Sequence, residues 1–209
     1  MLVINDIAEI LAFPVQTVAA PDLGIDRVVF YKIDMKTAQL TAKQEQPYLI
    51  LPPGSGPRHL AFSADGHFVY VTNELTSTVC VFEMKGKNPP LIQEVSTLPE
   101  GTDKSKNSTA EIETSADGKF LYVSNRGDDS IAVFSADPIG GKLALIQNVP
   151  SGGKHPRFFC LAPSGKFLIS CNMETNNVAV FAVDPESGKL TQTATNISVS
   201  KPVCAVFVP

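Results

Sequence analysis

The sequence has no excess of positive charge: 17 Lys and Arg stand against 21 Asp and Glu, a net charge of -4, with a pI near 5.4. A nucleic-acid or anionic-membrane partner would favour a basic face, so neither is expected. No apolar run approaches the roughly twenty residues that a bilayer-spanning helix needs. The first twenty residues are apolar but carry Asp6 and Glu9 and no early Lys or Arg. The positively charged start of a secretory signal is therefore lacking, and a cytoplasmic chain is expected. Cysteine is scarce: Cys80, Cys160, Cys171 and Cys204 show no Cys-X-X-Cys spacing, and each lies in an apolar, strand-like run. Buried reduced thiols are expected rather than disulfides or metal ligands. Asn107 and Asn196 open glycosylation-type triplets, which matter only in a secreted protein.

Several chemical signatures are also absent. No Gly-X-Ser-X-Gly elbow supports a serine hydrolase. Without a His-Glu-X-X-His pair or an Asp-rich loop, no metal site is expected. The Gly-rich segments GSGPRH (54–59) and GGKHPR (152–157) lack a following Gly-Lys-Ser/Thr and helix, so they are not nucleotide cradles. No cofactor is expected.

What is present is repetition. SADGHFVYVTN (63–73), SADGKFLYVSN (115–125) and PSGKFLISCN (163–172) are copies, with Asp65-Gly66 and Asp117-Gly118 marking hairpin turns between alternating apolar runs. Asn73, Asn125 and Asn172 are each followed nine residues later by Phe82, Phe134 and Phe181, and nine further on by Leu91, Leu143 and Leu190. Asp22, Tyr31 and Leu40 keep the same arithmetic in an earlier copy that lacks its hairpin. A period of about fifty residues with four strands per copy predicts an all-β fold, a β-propeller of four-stranded antiparallel blades. The repeats run approximately over 19–53, 54–101, 107–151 and 152–199, followed by a closing strand at 202–208. These form one domain of about four blades. Four blades can close, but a part of a larger ring is expected, because residues 1–18 do not supply the strands the first copy lacks.

Positions that break the repeat are candidates for chemistry. The Asp22/Asn73/Asn125/Asn172 column is filled throughout and is assigned to turn formation. The next column holds Leu23, Glu74, Arg126 and Met173. A scaffold that accepts Leu or Met there does not need the carboxylate of Glu74 or the guanidinium of Arg126. An inter-blade ion pair between the two is the purely structural alternative. At the start of each blade's first strand, Arg58, Ala110 and Arg157 share one column and His59, Glu111 and Phe158 the next. First strands line a propeller's central channel, so these groups can face a ligand near the axis. His59 and His155 adjoin arginines at blade mouths, as ligand contacts or as loop packing, whereas His67 follows a hairpin turn and is expected in solvent. The polar stretch PEGTDKSKNST (99–109) reads either as a lid or as a solvated loop.

GSGPRHLAFSADGHFVYVTNE, SADGKFLYVSNRGDDSIAVF and GGKHPRFFCLAPSGKFLISCN together resemble the lactonase family of seven-bladed propellers over roughly residues 19–209. That family includes propeller-type 6-phosphogluconolactonases and fungal carboxymuconate cyclases. The resemblance implies a cytosolic enzyme that opens a sugar lactone, the second step of the oxidative pentose phosphate route. It also implies a catalytic cluster of Arg58 from the GPRH segment, Glu74 from the NE segment and Arg126 from the NR segment. Two of these are repeat-breaking positions identified independently. The family's upstream histidine falls near residues 8–12, where this chain reads AEILA, and its NRGH segment becomes Asn125-Arg126-Gly127-Asp128. Three earlier blades of the family have no counterpart here.

Lactone hydrolysis needs an activated water, a stabilised oxyanion and a proton for the departing alkoxide. Glu74 is the expected base. Arg58 and Arg126 hold the developing negative charge or the substrate's phosphate, and His59 delivers the proton. His155 and Arg157 are expected to bind the phosphorylated sugar lactone. Muconate lactone formation is the alternative reaction. A catalytically incomplete propeller, associating with itself or with partners through open blade edges, is the alternative from another class.

Overall fold

The structure, a computed structural model, describes residues 17–208. Four antiparallel sheets follow one another along the chain. Sheet one contains β1 (Thr17–Asp22), β2 (Arg27–Ile33), β3 (Leu40–Ala42) and β4 (Tyr48–Ile50). Sheet two contains β5 (Pro57–Phe62), β6 (Phe68–Asn73), β7 (Thr78–Glu83) and β8 (Leu91–Ser96). Sheet three contains β9 (Ser108–Thr114), β10 (Phe120–Arg126), β11 (Ser130–Ala136) and β12 (Leu143–Pro150). Sheet four contains β13 (Pro156–Leu161), β14 (Phe167–Asn172), β15 (Asn177–Val183) and β16 (Leu190–Ser198). In sheets two to four the strands lie in chain order, the meander of a propeller blade.

Sheet one differs in an informative way. β3 pairs with Tyr31–Ile33 and β4 with Arg27–Val29, both along one edge of β2. They are two halves of one interrupted outer strand, while β1 takes the other edge, where β6, β10 and β14 sit in the later blades. Among the described residues the first blade therefore lacks its inner strand, as the missing hairpin predicts.

The blades stack through period-two patterning with both faces of the middle strands buried. Along β6, Val69 and Val71 pack with Val28, Phe30 and Leu49 of the first blade. The alternate residues Phe68 and Tyr70 pack with Ile112, Leu121 and Phe134 of the third. Phe120, Tyr122 and Val133 repeat this against Phe159, Leu168 and Phe181 of the fourth. Each hairpin turn is closed by a Gly in the left-handed region, at φ 71° for Gly66, 70° for Gly118 and 68° for Gly165. In two of them a Ser hydroxyl also bridges the turn, Ser63 to Asp65 and Ser115 to Asp117.

A feature of every blade fixes where the next one starts. Four residues after the Asp/Asn column stand Asp26, Ser77, Asp129 and Asn176, all at φ between 52° and 56°. The carbonyl of each accepts a hydrogen bond from the connector leaving its blade: Leu51 N at 3.1 Å, Thr97 N at 3.0 Å, Ser151 N at 2.8 Å and Val199 N at 3.0 Å. The buried Asn side chains add to this, Asn125 donating to Thr97 O and Asn172 to Ser151 O. The turn role expected for that column holds, and it extends to positioning the following inner strand.

Residues 202–208 carry no strand assignment. A strand is defined by its ladder, and among the described residues no neighbouring strand pairs with this segment. Of the four thiols, Cys80 and Cys171 are buried, Cys160 is half-buried and Cys204 is exposed, all unpaired. Burial pushes the thiol pKa of Cys80 and Cys171 up to about 11 and that of Cys160 to about 12. Cys204 departs from the expectation of burial because it lies in that unpaired terminal segment. The 99–109 stretch holds a single 3-10 turn, Lys104–Lys106, capped by Asp103. Its far end is pinned by buried Asn107, which donates to Ser77 Oγ and Asn125 Oδ1 and accepts from Asp128 N. No helix among the described residues is long and apolar enough to cross a membrane.

Candidate functional site

The inner strands β5, β9 and β13 lie side by side at the blade mouths, and each carries a β-bulge at its start. In β5, Pro57 opposes Asn73 and His59 opposes Thr72, leaving Arg58 as the extra residue. In β13, Arg157 occupies the same place between Pro156 and Phe158. In β9, Ala110 and Glu111 together face Ser124, whose hydroxyl accepts from Glu111 N at 3.0 Å. A bulge re-aims the side chains around it. Here it directs the two repeat-breaking columns toward one another across the blade boundaries.

Glu74, immediately after β6, bridges two blades. Its Oε2 lies 3.3 Å from Arg58 Nε and its Oε1 2.8 Å from Arg126 Nη2. Arg126 Nη2 also donates to Thr109 O at 2.7 Å, and Arg58 Nη1 donates to Ala110 O. Backbone carbonyls of β9 thus fix both guanidiniums. Arg126 is 7% exposed and its buried Nε has no hydrogen-bond partner. Burial, and next the Arg126 charge, pull the Arg58 guanidinium below its ordinary pKa. The inter-blade ion pair between Glu74 and Arg126 posed as the structural alternative is present.

His59 stands beside this cluster. Its Nδ1 lies 2.8 Å from Glu111 Oε1, and Arg58 Nη1 is nearly equidistant from its two ring nitrogens, 3.1 Å from Nε2 and 3.4 Å from Nδ1. His59, Arg58 and Arg157 line a cleft of about 410 Å³ with Pro57 and the Pro21–Gly24 segment of the first blade. Its volume suits a small metabolite. Arg157 makes no ion pair among the described residues, so its charge is free to meet an anion. His155 does not line this cleft; its Nδ1 lies 3.4 Å from Glu174 Oε1 and its N donates to Asp129 at 2.8 Å. His67 is solvent-exposed beside Asp65, as expected of a turn residue.

The structure therefore brings Glu74, Arg58, Arg126, His59 and Arg157 to neighbouring blade mouths, whereas His155 lies outside the cleft lining, against Glu174 and Asp129. Residues 8–12 lie outside the described residues. Glu111, named in the same repeat-breaking column as His59, has no role in the chemistry expected from sequence. No group of three His, Cys, Asp or Glu among the described residues is placed to hold a metal.

A family profile described as "Lactonase, 7-bladed beta-propeller" matches residues 12–207. The chain is 40% identical over 196 residues to a 6-phosphogluconolactonase of Bacillus subtilis, covering 91% of this chain and 53% of that protein. It is 37% identical over 145 residues to a 6-phosphogluconolactonase of Formosa agariphila, covering 68% and 40%. Among solved structures, the periplasmic gluconolactonase PpgL of Pseudomonas aeruginosa superposes with a TM-score of 0.85 at 37% identity, covering 93% of this chain and 54% of that one. The chain thus spans about half the length of the curated relatives it matches. On the profile match over residues 12–207 and the blade architecture, it belongs to the lactonase family of seven-bladed β-propellers.

Proposed function

We propose that the chain hydrolyses a sugar lactone, 6-phosphogluconolactone in the first instance, to the open-chain acid of the oxidative pentose phosphate route. The observation that carries this reading is Glu74 held between Arg58 and Arg126 beside a cleft lined by His59 and Arg157. Each Glu74 oxygen keeps a further acceptor site beyond its arginine contact, where a water can be held. Glu74 takes one proton of that water as its oxygen attacks the lactone carbonyl. Arg58 and Arg126 stabilise the resulting oxyanion, fixed in advance by the β9 carbonyls. The ring C–O bond then breaks and His59 gives a proton to the departing alkoxide. Arg157, without a carboxylate partner, attracts the substrate's phosphate, and His155, two residues before it in the same blade, is assigned a second contact. The chemistry as written draws on these side chains and water alone.

A cytoplasmic setting accords with four unpaired cysteines. Self-association through the outer blades is supported by apolar side chains exposed there, including Ile50 on the first blade and Phe167 and Ile197 on the fourth.

The test is the rate of ring opening of 6-phosphogluconolactone, gluconolactone and a carboxymuconate lactone, each against its spontaneous rate. Acceleration greatest for the phosphorylated sugar, and reduced toward the unphosphorylated level by Arg157→Ala, supports the reading. Preference for the muconate lactone, or no acceleration by folded protein, overturns it.

A further inference from the structure

Glu111 is the most conspicuous polar group that this chemistry leaves unused. Its carboxylate is buried, 4% exposed, on the inner strand of the third blade. One oxygen lies 2.8 Å from His59 Nδ1 and also accepts from Ile112 N at 3.2 Å. The other, Oε2, is buried with no hydrogen-bond partner. A buried carboxylate is costly unless something uses it. The repeat shows that the scaffold does not: the same column holds Phe158 in the fourth blade. The carboxylate is therefore present for what it faces, and what it faces is a histidine on another blade, 52 residues away in sequence.

The chemistry of the pair is specific. A carboxylate accepts and an imidazole nitrogen bearing hydrogen donates, so a carboxylate at Nδ1 selects the tautomer with the proton on Nδ1. The proton that can come and go is then the one at Nε2. In that tautomer Nε2 is the acceptor, with the Arg58 Nη1 donor 3.1 Å away, a contact that gives way when Nε2 takes up a proton from the cleft that His59 lines. When Nε2 takes up a proton, the carboxylate behind the ring stabilises the imidazolium, as an acid about to protonate an alkoxide requires.

We propose that Glu111 is a positioning residue that fixes the His59 ring and its Nδ1–H tautomer, so that Nε2 carries the proton delivered to the lactone's leaving oxygen. This rests on the lactonase reading for the delivery step but not for the tautomer.

The chain has three histidines, so nitrogen-15 NMR of histidine-labelled protein resolves them, with His59→Asn assigning the signal. The expected result is neutral His59 protonated at Nδ1 in the wild-type protein and a mixed or reversed tautomer in Glu111→Gln. A wild-type His59 protonated at Nε2, or a tautomer unchanged by a folded Glu111→Gln, overturns the proposal. Because the wild-type spectrum alone can contradict it, a variant that fails to fold does not protect it. The second arm is kinetic. Glu111→Gln is expected to lower kcat about a hundred-fold with KM little changed, and to add nothing in a His59→Asn background. Independent losses in the double variant would indicate a role not exerted through His59 and would overturn it. Should the wild-type chain show no lactone hydrolysis, the functional reading fails while the tautomer measurement still decides the role of Glu111.

Discussion

His155 occupies a backbone position that costs it something. It lies at φ 59° directly before Pro156, in the column that Gly56 fills at φ 61° in the second blade. Holding a non-glycine residue there costs on the order of 1 kcal/mol. Burial, and next the Arg126 charge, keep the imidazole pKa below its ordinary value despite Glu174 nearby. A base with a depressed folded pKa binds its proton more weakly folded than unfolded. Its contribution to stability is thus complete above the unfolded value and is lost as pH falls through the folded one. His155→Gly is expected to match or exceed the wild type in urea denaturation midpoint near neutral pH, with the gap widening as pH falls toward about 5. Parallel midpoints across that range would contradict the account.

At the scale of strands and turns, adjacent blades are joined at their outer edges by a repeated side-chain clamp. Gln93 donates to Leu143 O at 2.9 Å and accepts from Leu143 N at 2.7 Å. Gln147 does the same to Leu190 at 3.0 and 2.7 Å. Truncation leaves two backbone groups of a buried residue unpaired, and Gln93→Ala is expected to destabilise the protein by about 1–3 kcal/mol. A denaturant midpoint unchanged within error would show that water replaces the clamp without loss.

The hairpins were legible in the sequence because Ser-Ala-Asp-Gly carries its own turn chemistry. The blade cores were legible because their apolar period of two is maintained. The blade-exit turns were not: Asp26, Ser77, Asp129 and Asn176 share a conformation but not a side chain, so their column looks unremarkable. The bulges at Arg58 and Arg157 leave no local signal either, since one extra strand residue changes no pattern until the partner strand is known. Glu74 and Arg126 stood out because other blades hold Leu and Met in their place. Glu111 stood in such a column too, but its partner His59 is contributed by a different blade, and sequence spacing alone does not reveal a contact across blades.

At the scale of the whole molecule, the site exists only because blades stack. Arg58 and Glu74 come from the second blade, Arg126 from the third and Arg157 from the fourth, while the first supplies a wall of the cleft. Phe82, Phe134 and Phe181, one per blade and each buried, sit in the three interfaces that set their separation. A group of charges drawn from different blades is costly as scaffold, since partly buried ion pairs add little net stability. The proposed hydrolysis gives such a cluster a use, since its substrate is anionic and passes through an oxyanion. The most direct measurement is therefore the hydrolysis of 6-phosphogluconolactone by the purified chain and by Glu74→Gln, each corrected for the spontaneous rate. The account predicts acceleration by the wild-type chain and a loss of about a hundred-fold or more in the folded variant. Acceleration that survives the substitution undiminished would contradict it.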